Sequence, residues 1–463
     1  MSYRPTIGLE VHAELNTKTK MFCASRNDAD EDRPNVNVCP ICLAHPGTLP
    51  VINQEAVRHV ARVGAAVGGV LADYTEFDRK SYFYPDIPKG YQISQYERPI
   101  VSGGILADVA ITRVHLEEDT ARSSHAADAS LVDFNRAGVP LMELVTEPVI
   151  HDAETAGRFA RELQQLLRTL GASHANLEKG EMRVEANISV SKDDTFGTKV
   201  EVKNLNSFRA VERAIAFEID RQIALIESGG KVTQETRGWD EDKQHTFSQR
   251  KKEGSADYRY FPEPDLPKFV LSELSWLKAD ELLASLPELP WERRARYVSL
   301  GLTEEDAATL ASSQEGSIFF DTLLTSIGDD ASLIKTAANY LISDVRGAYE
   351  KLSVPAFVEL IQMIGANDLS SRGAKDVLAV LLTKGGDSAR SLATDMGVLQ
   401  VSDTESLRTA VKDVLARNAS VVEEYRAGKE SVLQFLVGQG MKATKGAGNP
   451  TLIRDILLEE IGQ

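Results

Sequence analysis

The sequence predicts an α+β domain over residues 1–290, followed by segments that are entirely helical. Residues 7–15 alternate apolar and polar side chains with the period of two of a β-strand. Short alternating segments are then mixed with helical segments and Gly/Pro turns up to about residue 290, as in α+β domains. Residues 286–291 carry prolines that stop helices, and only helical patterns follow them.

Length and composition set the class of protein. With 463 residues, 42% hydrophobic and 26% charged, the chain is typical of soluble globular proteins and is long enough for two or three domains. It has no apolar stretch of membrane-spanning length and no N-terminal signal pattern, so we expect a cytoplasmic protein.

The charge distribution argues against a general nucleic-acid binder, which is normally basic. The formal net charge is −17. Lysine and arginine balance the acids over residues 411–463, so the excess acid lies before this tail. This segregation favours a tail that contacts a partner.

The alternating strand at residues 7–15 places Glu10, His12 and Glu14 on one face. Carboxylates that share a face repel one another unless a cation or a basic substrate lies between them. The alternative is an ordinary surface strand whose acids point to water.

The next elements combine aromatic, basic and acidic side chains. Residues 56–69 have helical spacing, and residues 77–91 interleave aromatics with Lys80 and Lys89, a composition that suits base stacking and phosphate contact. Residues 92–96 continue this loop as a strand, and residues 109–119 alternate again. Alternation pairs Glu117 with His115 and puts Glu118 on the packed side, unless the strand stops at Leu116.

One acid stands in an apolar strand within residues 133–145. Glu143 needs a partner there, because an unpaired buried carboxylate is costly. A cation shared with Glu10 would satisfy it, and so would a salt bridge to Arg136 or Arg183.

The remaining elements of this domain follow from their periodicity. Residues 153–170 form an amphipathic helix that ends at Gly171, and residues 180–190 form a strand. Residues 199–207 lead into a helix capped by Asn206 or Ser207, with Val211, Ala214, Ile215 and Ile219 on its inner stripe. Basic and amide side chains at this junction suit phosphate binding. The polar residues 244–255 predict a mobile flap.

The three cysteines allow a zinc site. Cys39 and Cys42 have the spacing of a zinc knuckle, Cys23 could add a third thiolate and His45 a fourth ligand. Three free thiols are the alternative, and the odd number excludes a complete disulfide framework.

These stretches together resemble the GatB family, the B subunits of aspartyl/glutamyl-tRNA amidotransferases, along essentially the whole chain. The matching stretches are residues 7–15, 77–96, 115–119, 135–145, 197–209, 235–241, 257–266 and 435–449. The resemblance implies a cradle-shaped domain with a mixed or antiparallel sheet at 1–290, a helical domain at 291–405 and a small helical tail at 406–463 that binds tRNA.

The resemblance also implies an activity. A protein of this family uses ATP and Mg²⁺ to phosphorylate the side-chain carboxylate of Glu-tRNA(Gln) or Asp-tRNA(Asn). Ammonia from a GatA-type amidase subunit reaches it through an internal channel and displaces the phosphate, giving Gln-tRNA(Gln) or Asn-tRNA(Asn). A small GatC-type subunit links the two.

Site residues are carried over onto matching positions. We expect Glu10, His12, Glu143 and Glu118 around Mg²⁺, with Glu117 as the alternative to Glu118. The resemblance favours Glu118 and strand alternation favours Glu117; we follow the resemblance. The expected substrate or nucleotide contacts are Lys80, Tyr82, Tyr84, Lys89, Arg136, Arg183, Asn187 and Lys203, and the expected tRNA contacts are Lys442 and Lys445.

One departure concerns zinc. Many members of the family have a cysteine where this chain has Ser25, and others lack all four thiols, so zinc is dispensable to the family and incompletely ligated here.

Two other functions compete with the main hypothesis. One is a tRNA-binding scaffold without kinase activity. The other is an amide ligase that makes its own ammonia, which the absence of a glutaminase-like cysteine or a Ser-Ser-Lys amidase signature disfavours.

Overall fold

The computed structural model describes residues 3–125, 128–251, 258–400, 404–444 and 448–462. The chain divides into two compact units, Met1–Pro290 and Trp291–Gln463. In the part of the chain so described, every helix is too short or too polar to cross a lipid bilayer.

A mixed sheet of ten strands forms the centre of the first unit. The strands of this unit are β1 (Arg4–Glu14), β2 (Val70–Leu71), β3 (Tyr74–Thr75), β4 (Asp78–Ser81), β5 (Tyr91–Ser94), β6 (Val101–Ser102), β7 (Ile105–Leu106), β8 (Val109–Glu118), β9 (Arg122–His125), β10 (Ser130–Asp133), β11 (Pro140–Thr146), β12 (Met182–Ser191), β13 (Val200–Leu205), β14 (Glu235–Asp240), β15 (His245–Lys251), β16 (Phe261–Pro262) and β17 (Phe269–Val270). The large sheet has the order β15-β14-β13-β12-β1-β11-β8-β6-β2, and β7 pairs with β8. The pairing of β13 with β14 is parallel, whereas β1 pairs with both neighbours in antiparallel register.

Strand β1 lies inside this sheet because one of its faces is wholly apolar. Ile7, Leu9, Val11 and Ala13 have no exposed surface. The alternation predicted from the sequence is therefore confirmed, and with it the α+β fold class. β4, β5 and β16 form a separate three-stranded sheet, which carries the aromatic loop.

Among the described residues of the first unit, four α-helices accompany the strands: α1 (Gln54–Ala66), α2 (Ala153–Thr169), α3 (Phe208–Glu227) and α4 (Ala279–Ala284). α2 ends before Gly171, whose φ of 65° is the left-handed conformation expected after a helix. Of the two predicted caps, Asn206 and Ser207, Ser207 caps α3 by accepting a hydrogen bond from the Ala210 N–H at 3.0 Å.

The inner stripe of α3 departs from the prediction at one position. Val211, Ala214 and Ile215 are buried, but Ile219 is only half-buried, and the neighbouring Glu218 is fully buried instead. Its carboxylate accepts hydrogen bonds from Arg221 and Thr246, which offset the cost of burying the charge.

The predicted mobile flap at residues 244–255 is wrong over most of its length. Residues 245–251 form β15, which pairs with β14 from Asp240 opposite His245 to Glu235 opposite Lys251. The polar composition that indicated a flap fits an edge strand, which needs few apolar side chains. Residues 252–255 lie outside the described residues.

The second unit is helical. Its helices are α5 (Pro290–Ser299), which begins at the unit boundary, α6 (Glu304–Ala311), α7 (Gln314–Ile327), α8 (Ala331–Tyr340), α9 (Val354–Gly365), α10 (Ser371–Lys384), α11 (Ala389–Asp395), α12 (Thr404–Arg417), α13 (Ala419–Arg426), α14 (Val432–Ala443) and α15 (Pro450–Gly462). Buried apolar residues between Tyr297 and Ala393 form one core cluster. Those between Leu407 and Ile461 form another.

Candidate active site

The register of three strands brings distant acids and imidazoles into one row. His12 of β1 lies opposite Glu143 of β11, and Glu143 lies opposite His115 of β8. Residues that face each other across antiparallel strands point to the same side of the sheet. Glu10 and Glu117 are two positions along their strands and share that side.

The side chains of this row are close together. The Nε2 atom of His12 lies 3.4 Å from Glu143 Oε2, 3.7 Å from Glu10 Oε1 and 3.7 Å from Glu117 Oε1. His115 Nε2 is also 3.4 Å from Glu143 Oε2. We call Glu10, His12, His115, Glu117 and Glu143 the Glu–His cluster.

The structure places Glu117, and not Glu118, in the cluster. β8 continues through Glu118, so the alternation of its side chains holds to the end of the strand. The carboxylate of Glu118 accepts a hydrogen bond from the Ile93 N–H at 2.9 Å and pairs with Lys89 Nζ at 2.5 Å. Ser94 Oγ donates to Glu117 Oε2 at 3.1 Å. The resemblance favoured Glu118 as a metal ligand, but the geometry leaves Glu118 outside the cluster and places Glu117, which strand alternation favoured, inside it.

Burial and mutual repulsion shift the ionisation of the cluster. Burial, together with Glu143 and Glu185, raises the pKa of Glu10 to about 7. Burial alone would lower the pKa of His12, but Glu143, Glu117 and Glu10 together raise it to about 9. Glu143 is buried as well, yet His115 and His12 hold its pKa well below the ordinary value.

The donor atoms of the cluster fit a divalent cation. Ligand atoms of Glu10, His12 and Glu143 all lie within 4.8 Å of one another. Carboxylate oxygens are the ligands that Mg²⁺ prefers, and a single imidazole is compatible with a divalent ion. A protonated His12 supplies the compensating positive charge in the absence of an ion.

Ligand atoms of a second set, Glu10, Glu185 and Glu201, also lie within 4.8 Å of one another, but the ammonium group of a lysine lies beside these carboxylates. Lys203 Nζ lies 2.7 Å from Glu185 and 4.0 Å from Glu201. A lysine in this position neutralises the carboxylates without a metal.

Lys80 is one of the candidate basic residues whose charge interacts with the Glu–His cluster; Lys203 interacts with Glu10 of the cluster as well. Burial opposes the charge of Lys80, but Glu117, Tyr260 and Glu143 together raise its pKa. Its ammonium lies 5.2 Å from the centre of the Tyr258 ring. Among the described residues, no acid comes within 4.0 Å of Lys80 Nζ, so this cation is available to an anionic ligand.

The other predicted basic residues are held in ion pairs. Arg183 donates to Asp119 at 2.8 Å, and Arg136 lies 3.6 Å from the same carboxylate. Lys89 pairs with Glu118 and Lys203 with Glu185.

The predicted amide and aromatic contacts lie around the same sheets. Asn187 of β12 is opposite Gly8 and Glu201, and its Oδ1 is buried without a hydrogen-bond partner among the described residues. The ring of Tyr82 is 5.8 Å from that of Tyr84 and 6.0 Å from that of Tyr258.

Several residues at this site were missed from the sequence. His115 was visible as the alternate-position neighbour of Glu117, and that periodicity could have identified it. Ser94, Tyr258 and Tyr260 carried no comparable local pattern. Glu14, on the same face of β1, lies beside Asp119, and burial and that carboxylate raise its pKa to about 8.

The three cysteines converge away from the Glu–His cluster. Their sulfurs lie within 4.8 Å of one another, and His45 is not part of that group. Ser25 Oγ and Lys20 Nζ each lie 3.8 Å from Cys42 Sγ. A hydrogen bond from Cys23, with help from the Cys39 N–H and Lys20, lowers the pKa of Cys42 to about 4. A structural zinc ion takes four ligands, and three thiolates beside Ser25 leave that set incomplete.

A pocket of about 230 Å³ lies between the thiols and the Lys89–Glu118 pair; its lining includes Cys23, Cys42, Lys89, Tyr91 and Glu118.

Of the two predicted tRNA contacts, both in the second unit, Lys442 is exposed near the end of α14. Lys445, the other predicted tRNA contact, lies outside the described residues.

Two family models match the chain. Residues 5–277 match the GatB/GatE catalytic domain, and residues 319–461 match the GatB domain. The chain is 43% identical to the B subunit of the chloroplastic/mitochondrial glutamyl-tRNA(Gln) amidotransferase of Physcomitrium patens, over 99% of this chain and 85% of that protein. It is 43% identical to the B subunit of the aspartyl/glutamyl-tRNA(Asn/Gln) amidotransferase of Crocosphaera subtropica, over 98% and 97% of the two chains. For the corresponding protein of a Synechocystis species the identity is 42%, over 100% and 98%.

Proposed function

The chain belongs to the GatB family of tRNA amidotransferase B subunits, and on that premise we propose that it converts Glu-tRNA(Gln), Asp-tRNA(Asn) or both to the amidated forms. The reaction consumes ATP and takes place in the first unit. The observation that carries the proposal is the convergence of Glu10, His12, Glu117 and Glu143 from three strands on one face of the sheet.

In the proposed reaction, an oxygen of the substrate's side-chain carboxylate accepts the terminal phosphoryl group of ATP, and ADP leaves. The nitrogen of ammonia then attacks the activated carbonyl carbon, and phosphate leaves as the amide forms. Such phosphoryl transfer depends on positioning and on neutralising charge rather than on covalent chemistry by the protein.

The Glu–His cluster would hold Mg²⁺ through Glu10, His12, Glu117 and Glu143, and a divalent ion bound there supplies neutralisation of the phosphoryl oxygens. Lys80 is suited to contact the same oxygens because it is half-buried and has no acid within 4.0 Å among the described residues. The ring of Tyr258, 5.2 Å from the ammonium, stabilises the charge of Lys80 by a cation–π interaction.

The other residues predicted from the sequence to contact the substrate or the nucleotide are proposed here in the same role. Arg183 and Arg136 share Asp119, so their guanidinium groups are fixed in position before a substrate arrives. This preorganisation favours an anionic group on the substrate. Lys89, Lys203, Asn187, Tyr82 and Tyr84 complete this set.

We further propose the partners and the compartment. The relatives are B subunits by name, so this chain would act with an amidase subunit of the GatA type and a small subunit of the GatC type. The tail around Lys442 and Lys445 would bind the tRNA, and the complex would be cytoplasmic.

The first prediction tests this function directly. Glu10→Gln in the reconstituted complex should lower amide formation at least about 100-fold, because it removes one anionic ligand while keeping the size of the side chain. Glutamine hydrolysis by the amidase subunit should persist. Product tRNA and released glutamate are measured in the same reaction.

Glu154→Gln is the matched control, since Glu154 is an exposed acid in the first turn of α2. It should leave both activities unchanged. Normal amide formation by Glu10→Gln would reject the assigned site. If the unaltered complex shows no hydrolysis of ATP that depends on Glu-tRNA, the chain is instead a tRNA-binding scaffold.

A further inference from the structure

The three thiols and a lysine form a second cluster of polar groups in the first unit. The sulfurs of Cys23, Cys39 and Cys42 all lie within 4.8 Å of one another, and those of Cys39 and Cys42 are 3.8 Å apart. Cys39 and Cys42 belong to one turn, which the Leu43 N–H closes by donating to the Cys39 carbonyl at 3.0 Å. A disulfide needs its sulfurs about 2.05 Å apart, so a small movement within this turn would allow a bond.

Lys20 places a positive charge beside these thiols. The residue has no exposed surface, and its Nζ lies 3.8 Å from Cys42 Sγ and donates to the Phe134 carbonyl at 3.1 Å. Within the described part of the chain, no carboxylate oxygen comes within 4.0 Å of this ammonium. A buried charge without a counter-charge costs free energy. An ionised Cys42 sulfur is the counter-charge that the geometry offers.

Two more polar groups face the Cys42 sulfur. The Cys39 N–H donates to it at 3.1 Å, and the Ser25 hydroxyl lies 3.8 Å from it. Hydrogen-bond donors and a nearby cation favour a thiolate over a thiol, and the thiolate is the form that attacks an electrophile. Cys42 is therefore the nucleophile of this group, and Cys39 is the thiol placed to react with it next.

A small oxidant can reach this sulfur. Cys42 lines the pocket of about 230 Å³, together with Cys23 and Lys89. One water molecule occupies about 30 Å³ of the liquid, so a molecule the size of hydrogen peroxide fits in the pocket. Zinc is disfavoured as a ligand of these thiols, because a structural zinc ion takes four ligands and the cluster offers three.

We propose that this cluster is a site of reversible oxidation, in which Cys42 reacts with a hydroperoxide and Cys39 then forms a disulfide with it. Cysteines that react with oxidants in this way are accessible and lie next to a second, resolving cysteine. The inference does not rest on the proposed function, because it concerns thiols outside the Glu–His cluster.

The reaction consumes one hydroperoxide for each disulfide. In the first step the Cys42 thiolate attacks one oxygen of the hydroperoxide; an S–O bond forms, the O–O bond breaks, and hydroxide or an alkoxide leaves. In the second step the Cys39 sulfur attacks the sulfur of the Cys42 sulfenic acid. The S–S bond forms, the S–O bond breaks, and the hydroxide leaves as water with the Cys39 proton. The two thiols lose two electrons, which the hydroperoxide gains, and a dithiol reductant reverses the disulfide.

Peptide mapping of the full complex tests the site. The complex is treated with a small molar excess of hydrogen peroxide, its remaining thiols are alkylated, and it is digested with trypsin. Trypsin places Cys23 in the peptide 21–26 and places Cys39 and Cys42 together in the peptide 27–58. We expect the second peptide to lose two hydrogen atoms and escape alkylation, while the first is alkylated. A dithiol added before alkylation should restore both thiols.

Variants identify the role of each group. Cys39→Ser should stop the reaction at the sulfenic acid, which dimedone traps on Cys42. Cys23→Ser is the matched control and should still form the disulfide. Lys20→Met should slow the oxidation at least about tenfold, because the reacting thiolate loses its counter-charge. Melting temperatures establish that the variants fold, and the mapping of the unaltered complex requires no variant.

A peptide 27–58 that keeps both thiols after peroxide treatment of the unaltered complex overturns the inference. A cross-link between the peptides 21–26 and 27–58 does so as well, since it would pair Cys23 instead of Cys39. The third contrary result is a zinc ion that copurifies with the unaltered complex and is lost in Cys42→Ser, because the thiols would then be metal ligands.

Discussion

At the scale of single residues, the first unit keeps several acids in unequal states of ionisation. Arg183 and Arg136 hold the pKa of Asp119 at about 2 despite its burial, while the neighbouring Glu14 has a pKa of about 8. The two carboxyl groups compete for the same pair of guanidinium groups. Asp119 holds them by direct contact with Arg183 at 2.8 Å, so Glu14 retains a proton near neutral pH.

The second prediction concerns the pH dependence of stability that this proton causes. The pKa of Glu14 rises from 4.5 in the unfolded chain to about 8 in the folded one. Its contribution to stability is therefore fully present below pH 4.5 and is lost as the pH rises through 8, with a slope of at most about 1.4 kcal/mol per pH unit. Glu14→Gln should remove this slope.

Urea unfolding at pH 5, 6, 7 and 8 measures the effect. His12 and the other titrating groups are present in both proteins, so the difference between the two curves isolates Glu14. Glu154→Gln should keep the unaltered slope. Parallel curves for Glu14→Gln and the unaltered protein would show that Glu14 is not protonated in the folded state.

At the scale of elements, the end of β8 determines which acid joins the cluster. Because this strand runs through Glu118, successive carboxylates point to opposite faces of the sheet. Glu117 meets Ser94 and His12 on one face. Glu118 meets Lys89 and the Ile93 N–H on the other.

The third prediction follows from this alternation. Glu117→Gln should weaken binding of Mn²⁺ to the complex at least about tenfold, because it replaces an anionic ligand by a neutral one. Glu118→Gln should leave that affinity within about twofold, because its carboxylate does not face the cluster. Isothermal titration of both variants provides the measurement, and a larger loss for Glu118→Gln would contradict the assignment.

The fourth prediction concerns the cap of α3. Ser207→Ala should lower the free energy of unfolding by about 1 kcal/mol, because the Ala210 N–H loses its side-chain acceptor. Urea denaturation followed by circular dichroism measures this loss. Ser228→Ala is the control: its hydroxyl donates to the Leu225 carbonyl at the exposed end of the same helix. The cap would have no special role if both variants lost equal stability.

At the scale of the whole molecule, the acidic part of the chain and its charge-balanced C-terminal tail differ in how they would interact with RNA. Residues 411–463 balance their charges, and the net charge of −17 belongs to the preceding chain. An acidic first unit disfavours indiscriminate contact with RNA, so recognition of tRNA would depend on local contacts and on the shape of the RNA.

The fifth prediction tests the tail. Lys442→Ala should weaken binding of the tRNA substrate and reduce the salt dependence of log Kd by a slope of about 1, as expected for one lost phosphate contact. Lys429→Ala is the control, since Lys429 already pairs with Glu424 at 2.8 Å. Filter binding at several salt concentrations measures both. An unchanged salt slope for Lys442→Ala would exclude this contact.

The sequence by itself determined the α+β class of the first unit, the face that Glu10 and His12 share, and a helix cap at Asn206 or Ser207. These features depend on the period of two of a strand or on the first turn of a helix, which neighbouring residues specify. The resemblance to GatB likewise required only the order of the residues along the chain.

Only the tertiary structure decided that Glu117 joins the cluster, that His115 lies against Glu143, and that residues 245–251 form a strand. It also decided that Lys80 has no acid within 4.0 Å among the described residues while Arg183 is paired. The physical reason is that these outcomes depend on register between strands far apart in sequence. A shift of one residue in that register would turn each of these side chains to the other face of the sheet.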